Sequence, residues 1–272
     1  MSQREYVLGT DAAELERLGL QHRIWSAAAF GAWERAKIGP GSRVLDIGCG
    51  PGYATTDLAE LVGPGGLVVG IDESAGFVQT LRSRASARGL SNVEAIVGDV
   101  HDLAGIEADA FDAAYARWVL CFLPDPARGV HAAARALRPG GRLCVQDYFN
   151  YECMTLAPKR PAFTRVIRAV GESWRARGGS PDLVGDLPRL MREAGLHVEH
   201  LDVNERIARP GEPAWQWPDT FWRSFVPRLV AGGFLTEAEK HAFFAAWTEA
   251  SGDPDTFMFL PPVFDIVGRK PG

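Results

Sequence analysis

The stretch Val44-Leu45-Asp46-Ile47-Gly48-Cys49-Gly50-Pro51-Gly52 constrains the fold more than any other part of the chain. Its apolar start reads as a short buried strand. Three glycines follow within five residues, and Tyr53 to Val62 then reads as a helix. Glycine tolerates left-handed backbone and lets other groups approach closely, so the loop suits a sharp strand-to-helix turn against a ligand. The same rhythm repeats downstream. Leu67 to Ile71 reads as a strand, Ser74 caps a helix that runs to Gly89, and Val93 to Val97 and Phe111 to Tyr115 are strands. A helix over Ala127 to Leu137 turns at Pro139-Gly140-Gly141 into a strand, Arg142 to Val145. Such alternation predicts an α/β fold: a parallel sheet with helices on both faces.

The loop's chemistry narrows its ligand. A dinucleotide-type GxGxxG pattern needs Gly or Ala where Tyr53 stands. No Lys follows in the arrangement of a phosphate-binding P-loop. Asp46 would repel a pyrophosphate but suits a cationic ligand. Asp72 ends the next strand, where a carboxylate can accept from both hydroxyls of a ribose. Asp99 ends the third strand and suits the amine of an adenine.

The flanks are helical. Residues 11 to 38 read as a helix, capped by Thr10 or Asp11, with Leu15, Leu18, Ile24, Trp25, Ala28 and Trp33 forming its stripe. Beyond Asp147 the alternation loosens. Residues 149 to 182 read as an insertion, Leu183 to Ala194 as a helix and His197 to Arg206 as a strand. Residues 213 to 250 are helical and hold nine of the 27 Phe, Trp and Tyr residues, with Thr236 and Glu239 placed as a capping box. Phe257 to Gly268 reads as a last strand, which Pro261-Pro262 assigns to an edge or a bulge.

Several function classes are disfavoured. The net charge of −5, without a Lys/Arg cluster, argues against a nucleic-acid partner. No apolar run is long enough for a membrane span, and the N-terminal residues show no signal-peptide core. Cys49, Cys121, Cys144 and Cys153 form no CxxC pair, so free thiols in a reducing cytoplasm are expected. The oligomeric state stays open between monomer and homodimer.

VLDIGCGPGYAT resembles the first motif of class I S-adenosylmethionine (SAM)-dependent methyltransferases, in their small-molecule branch. VVGIDES resembles the second motif and EAIVGDV the third. FDAAYARWVLCFLPDP resembles the segment around strand four, and ARALRPGGRLCVQDY the one leading through strand five. Together they cover about residues 40 to 148. The resemblance implies a Rossmann-like seven-stranded sheet of order 3-2-1-4-5-7-6 with strand seven antiparallel. It implies one domain over 1–272, with a helical cap (1–40), a SAM-binding core (41–148) and helical lid insertions (149–182 and 207–256). SAM, and its product S-adenosylhomocysteine, would contact Asp46, Gly48, Cys49, Gly50 and Gly52 with the methionine part. Asp72 and Glu73 would meet the ribose, Asp99 and Val100 the adenine, and backbone near Ala116 and Arg117 the ammonium. Tyr6 and Gln21 match loosely the N-terminal residues that close over SAM in related enzymes.

Methyl transfer from a sulfonium needs mainly alignment, and a base only where the acceptor must lose a proton. Candidates for that base are His22, Asp147 and Tyr148; Asp147 is alternatively a structural partner of Arg117, and Tyr148 a packing residue. Trp118, Tyr148, Trp215, Trp217 and Trp222 are expected at a small, largely apolar or aromatic acceptor, methylated on O, N or C. His101 is expected at the surface. No metal is expected, because no adjacent Asp-Asn or carboxylate cluster follows strand five. The alternatives are a nucleic-acid or protein methyltransferase, or a SAM fold used for cyclisation or binding. Against a DNA-methylating enzyme, Ala116-Arg117-Trp118 stands where a Pro-Pro-aromatic motif would be.

Overall fold

The structure is a computed structural model, and it describes residues 12–272. Tyr6 and the cap positions Thr10 and Asp11 lie outside the described residues. The elements run α1 (Ala12–Arg35), β1 (Arg43–Ile47), α2 (Tyr53–Val62), β2 (Leu67–Asp72), α3 (Ala75–Ala87), β3 (Val93–Val97) and β4 (Phe111–Arg117). Then come α4 (Pro126–Ala136), β5 (Leu137–Tyr148), β6 (Thr155–Ala157), α5 (Pro161–Arg175), α6 (Leu187–Glu193) and β7 (His197–Asn204). The chain ends with β8 (Ile207–Ala208), α7 (Pro213–Ala231), α8 (Glu237–Gly252), β9 (Phe257–Phe259) and β10 (Val263–Arg269).

Seven strands form one sheet in the order β3-β2-β1-β4-β5-β10-β7. Counted along the chain, this is 3-2-1-4-5-7-6. The first five pair in parallel, and β10 runs antiparallel to both neighbours. The central strands are apolar on both faces, as a doubly covered sheet requires. Val44, Leu45, Ile47, Val68 and Ile71 are all buried. Ala29, Ala32 and Trp33 of α1 pack with Leu58, Ala59 and Val62 of α2 against one face. The larger core gathers α4 to α8 around Leu143, Val145 and Ile266.

The last strand is not a continuous edge strand. Pro261-Pro262 falls in the gap between β9 and β10, because proline has no N–H to give to either ladder. β10 lies inside the large sheet, between β5 and β7, while β9 joins β6 and β8 in a separate three-stranded sheet. That small sheet ties the insertion after β5 to the chain on either side of α7 and α8. The insertion itself carries a helix, α5, which begins at Pro161. The 213–250 region is two helices broken at Gly232-Gly233, and Thr236 and Glu239 form the expected reciprocal capping box.

Candidate active site

The carboxyl ends of β1, β2, β4 and β5 open into a cavity of about 960 Å³, roofed by α1, α5 and α7. In an open α/β sheet this edge is where ligands bind. Gly48 and Gly50 line it with left-handed φ values of 65° and 54°. A Cβ on Gly50 would meet no atom within 4 Å, so that position faces open space. Gly52, expected to line the cofactor, does not reach the cavity. It caps α2 at φ 83°, and a Cβ there would strike Leu81 at 2.3 Å, so its job is to let α2 approach α3. Cys49 is buried on the wall, its sulfur packed beside Gly70.

Asp72 is held by two backbone amides. Gly50 N–H donates to Oδ2 at 2.9 Å and Ser74 N–H to Oδ1 at 2.8 Å, so the acid also ties the glycine loop to β2. Burial still raises its pKa. Asp46 is buried on the wall and accepts from Thr55 Oγ1 at 2.6 Å. Burial pushes its carboxyl up to about 7, because one hydroxyl replaces little of the lost water. A cationic ligand beside it would reverse that cost.

At the other end of this half, Asp99 turns away. Its carboxylate is largely exposed and accepts from the backbone N–H and Nδ1 of His101, so it is not on the wall. His101, expected at the surface, is buried and lines the cavity with Val100 and Glu73. The ligand atoms of Glu73, Asp99 and His101 lie within 4.8 Å of one another, the one such group among the described residues. The hydrogen bonds from His101 to Asp99 account for much of that closeness. Ala116 sits in the ladder opposite Ile47 and Val145, off the wall; Arg117, at the strand end, is on it.

Helix α1 is clasped over the loop by Tyr53, the residue that breaks the dinucleotide pattern. Its hydroxyl donates to Leu15 O at 2.9 Å, its ring stacks on His22, and the Arg84 guanidinium covers it at 3.8 Å. Gln21 lines the cavity and accepts from Trp217 Nε1 at 2.9 Å and Arg17 at 3.0 Å, which joins α1 to α7.

His22 is not placed as a base. Arg117 reaches its Nδ1 at 2.9 Å, and Asp57 faces its Nε2 at 2.9 Å. A guanidinium only donates, so Nδ1 accepts and Nε2 carries the proton. Burial lowers the pKa of His22, and Arg117 adds to this against the pull of Asp57. The ring is therefore neutral with its lone pair taken. Arg117 keeps a second nitrogen, NH1, buried and without a partner. Asp147 is also excluded as a base. It lies off the wall, fully buried, and accepts from the backbone N–H groups of Cys121 and Tyr148 rather than pairing with Arg117. Burial lifts its carboxyl to about 6.

The far half of the cavity is aromatic. Trp118 has a left-handed φ of 53°, an uncommon and strained state for a bulky side chain. Its ring stacks on Tyr148 and on Trp217, 6.0 and 6.1 Å away, with Trp25 at its edge. Tyr151, Met154 and Trp174 continue the wall, and Phe221, Trp222 and Phe225 complete it. Trp215 does not take part. It stacks on Trp247 at 4.6 Å and donates to Ser251, away from the cavity. Sequence reasoning missed Arg17, Tyr151, Trp174, Arg177 and Arg228 on this wall. Only Trp174, at the end of a helix with a strong apolar face, carried a signal that could have found it.

A glycine loop after β1, an acid closing β2 and a two-part cavity over the carboxyl edge define the ligand-binding edge of a Rossmann-like fold. A family model described as a methyltransferase domain matches residues 38–174. The chain is 44% identical over 217 residues to a 37.1 kDa protein of transposon TN4556 from Streptomyces fradiae, covering 77% of this chain and 61% of that one. It is 41% identical to nocamycin O-methyltransferase of Saccharothrix syringae, over 85% of this chain and 86% of that one. It is 36% identical to the aklanonic acid methyltransferase of a Streptomyces strain, over 50% of this chain and 63% of that one. The chain thus spans under two thirds of the first and third of these relatives. The fold is also that of a Bacillus halodurans chain described as a candidate methyltransferase, with TM-score 0.62, 20% identity and 89% and 98% coverage. The [4+2]-cyclase SpnF shares it too, with TM-score 0.57, 23% identity and 90% and 81% coverage. The chain belongs to the class I SAM-dependent methyltransferases.

Proposed function

We propose that this chain transfers a methyl group from SAM to a small, largely apolar acceptor. The observation that carries this reading is one continuous cavity, with the glycine loop, Asp46 and Asp72 at one end and Trp118, Tyr148 and Trp217 at the other. SAM supplies an electrophilic methyl on a sulfonium. The chain's own residues bind, orient and exclude water. Asp72 takes the ribose hydroxyls, and Val100 with His101 flanks the adenine. Asp46 faces the ammonium, and the unpartnered NH1 of Arg117 suits the carboxylate of the methionine part. The aromatic wall positions the acceptor, which is where most of the rate comes from when a leaving group needs no acid.

Relatives whose names specify nocamycin and aklanonic acid as acceptors support a small-molecule substrate. No described helix is long and apolar enough to cross a membrane, and the four cysteines are free. With the negative net charge, these support a cytoplasmic enzyme without a nucleic-acid partner. Calorimetry with SAM and S-adenosylhomocysteine, followed by transfer of labelled methyl to a panel of acceptors, tests the proposal. Failure to bind either nucleoside would overturn it.

A further inference from the structure

The cavity holds its carboxylates at one end only. Asp46, Asp72 and Glu73 all stand at the carboxyl ends of β1 and β2, on the cofactor side. His101 sits with them, bonded to Asp99 beyond β3. Asp72 and Glu73 lie across β1 from β4 and β5, which carry the aromatic half, and Asp46, on β1 beside Tyr115 of β4, is the carboxylate assigned above to the cofactor's ammonium. The lone pair of His22 is taken by Arg117, and Asp147 is off the wall. Tyr115 donates to Gln146, and the phenols of Tyr148 and Tyr151 are pushed up by burial. With Asp46 turned to the cofactor's ammonium, the acceptor half offers, among the described wall residues, no further group placed to remove a proton near neutral pH.

What it offers instead are donors. Arg177 lines the cavity from the segment after α5, and Arg17, on α1, lines it as an ion pair with Glu14 that is also bonded to Gln21. Two wall side chains of this half hold buried polar atoms without partners, Trp118 Nε1 and Trp222 Nε1, Arg117 NH1 being assigned above to the cofactor. Both are N–H groups, which can only donate. An amine acceptor, protonated at neutral pH, would find neither a base nor a negative charge here. An ordinary phenol, with a pKa near 10, would be almost wholly protonated.

Resting on the methyltransferase reading above, we infer that the acceptor is an organic carboxylate on an apolar, ring-containing body, with Trp118 Nε1 among its donors. The acid arrives ionised, so no base is required. One carboxylate oxygen attacks the methyl carbon. The new C–O bond forms as the C–S⁺ bond breaks, and the electron pair returns to sulfur. A neutral ester and a neutral thioether result, and no proton moves.

Three probes that share a naphthyl body separate the possibilities: 2-naphthoic acid, 2-naphthol and 2-naphthylmethylamine. Each is titrated, by quenching of tryptophan fluorescence, into protein saturated with S-adenosylhomocysteine near neutral pH. Naphthoate should bind about tenfold or more tighter than the other two. Equal affinities, a preference for the alcohol or the amine, or no binding of any probe would overturn the proposal. In Trp118→Phe, which keeps a ring and loses the N–H, the naphthoate advantage should shrink several-fold. An unchanged advantage would overturn Trp118 as the donor. Label passed from SAM to the acid should be released as volatile methanol by mild alkali, as from an ester. Label in an alkali-stable product would also overturn the proposal. Calorimetry of S-adenosylhomocysteine alone keeps the two readings apart, since its failure counts against the methyltransferase reading instead.

Discussion

Arg117 donates to Nδ1 of His22 across 2.9 Å, and that contact converts a candidate base into a strut. The imidazole bridges Arg117 to Asp57, which Arg88 also holds. Burial pushes Asp57 up, but His22 and Arg88 outweigh it and keep the carboxyl low. The strut holds a guanidinium on the cavity wall, where the proposed function puts the methionine end of SAM.

His22→Ala should therefore weaken SAM binding by about tenfold, or about 1.4 kcal/mol, through loss of Arg117 positioning. Calorimetry at pH 8, where the native ring is neutral, gives the number. Nitrogen NMR of the imidazole should show a neutral ring protonated on Nε2. A midpoint above the ordinary 6.5 of histidine would overturn the assignment.

Under the proposed function, Asp46 trades stability for binding. Its carboxyl titrates near 7 in the folded chain and near 3.8 in the unfolded one, so the folded state holds the extra proton between those values. The stability tied to this proton is present below pH 4 and lost as pH rises through 7. Asp46→Asn removes the charge and keeps an acceptor for Thr55. The variant should gain melting temperature over the parent at pH 8 and much less at pH 5, by roughly 2–4 °C for each kcal/mol. It should also bind SAM weakly at every pH, whereas the parent binds better as pH rises through 7. A variant less stable than the parent at pH 8 would count against the buried charge.

Asp72→Ala should weaken SAM by roughly 2–4 kcal/mol, since a charged acceptor for two hydroxyls is lost. The two amides that Asp72 holds add a loosened glycine loop to that loss. Gly50→Val should block binding more completely. Its side chain would fill space that faces the cavity, on backbone with φ at 54°. Native affinity in either variant, by calorimetry, would remove that residue from the site.

The glycine-loop half of the cavity was legible as a place in the fold because its signals are local. A strand, a glycine turn and an acid at the next strand end occupy fixed places along an alternating α/β chain, and the structure keeps them there. Asp99 misled because a strand-end acid has a second use, and His101 two residues on took its carboxylate. The acceptor half was hidden for another reason. Arg17, Tyr151 and Trp174 reach the wall only because α1, α5 and the turn after β5 fold back over the sheet edge, and nothing near Arg17 or Tyr151 in the sequence encodes that return. The Pro261-Pro262 pair showed where a strand must fail, but not that its two parts join different sheets.

Trp215 and Trp217 are two residues apart on one helix and should behave differently. Trp217 stands on the cavity wall, stacked on Trp118 and bonded to Gln21 of α1. Trp215 points away, into a stack with Trp247, whose indole donates to Asp219. Trp217→Ala should remove one face of the acceptor site, raising KM or lowering kcat with little change in SAM affinity. Trp215→Ala should leave KM near the native value and destabilise the fold by about 3–5 kcal/mol, the usual cost of deleting a buried tryptophan. Of the nine aromatics in this region, Trp217, Phe221, Trp222 and Phe225 face the cavity, and the other five do not. The wall residues should divide from the rest in the same way when kinetics and melting temperatures are measured on both variants. If Trp215→Ala changes KM as much as Trp217→Ala does, α7 does not present a single face to the acceptor.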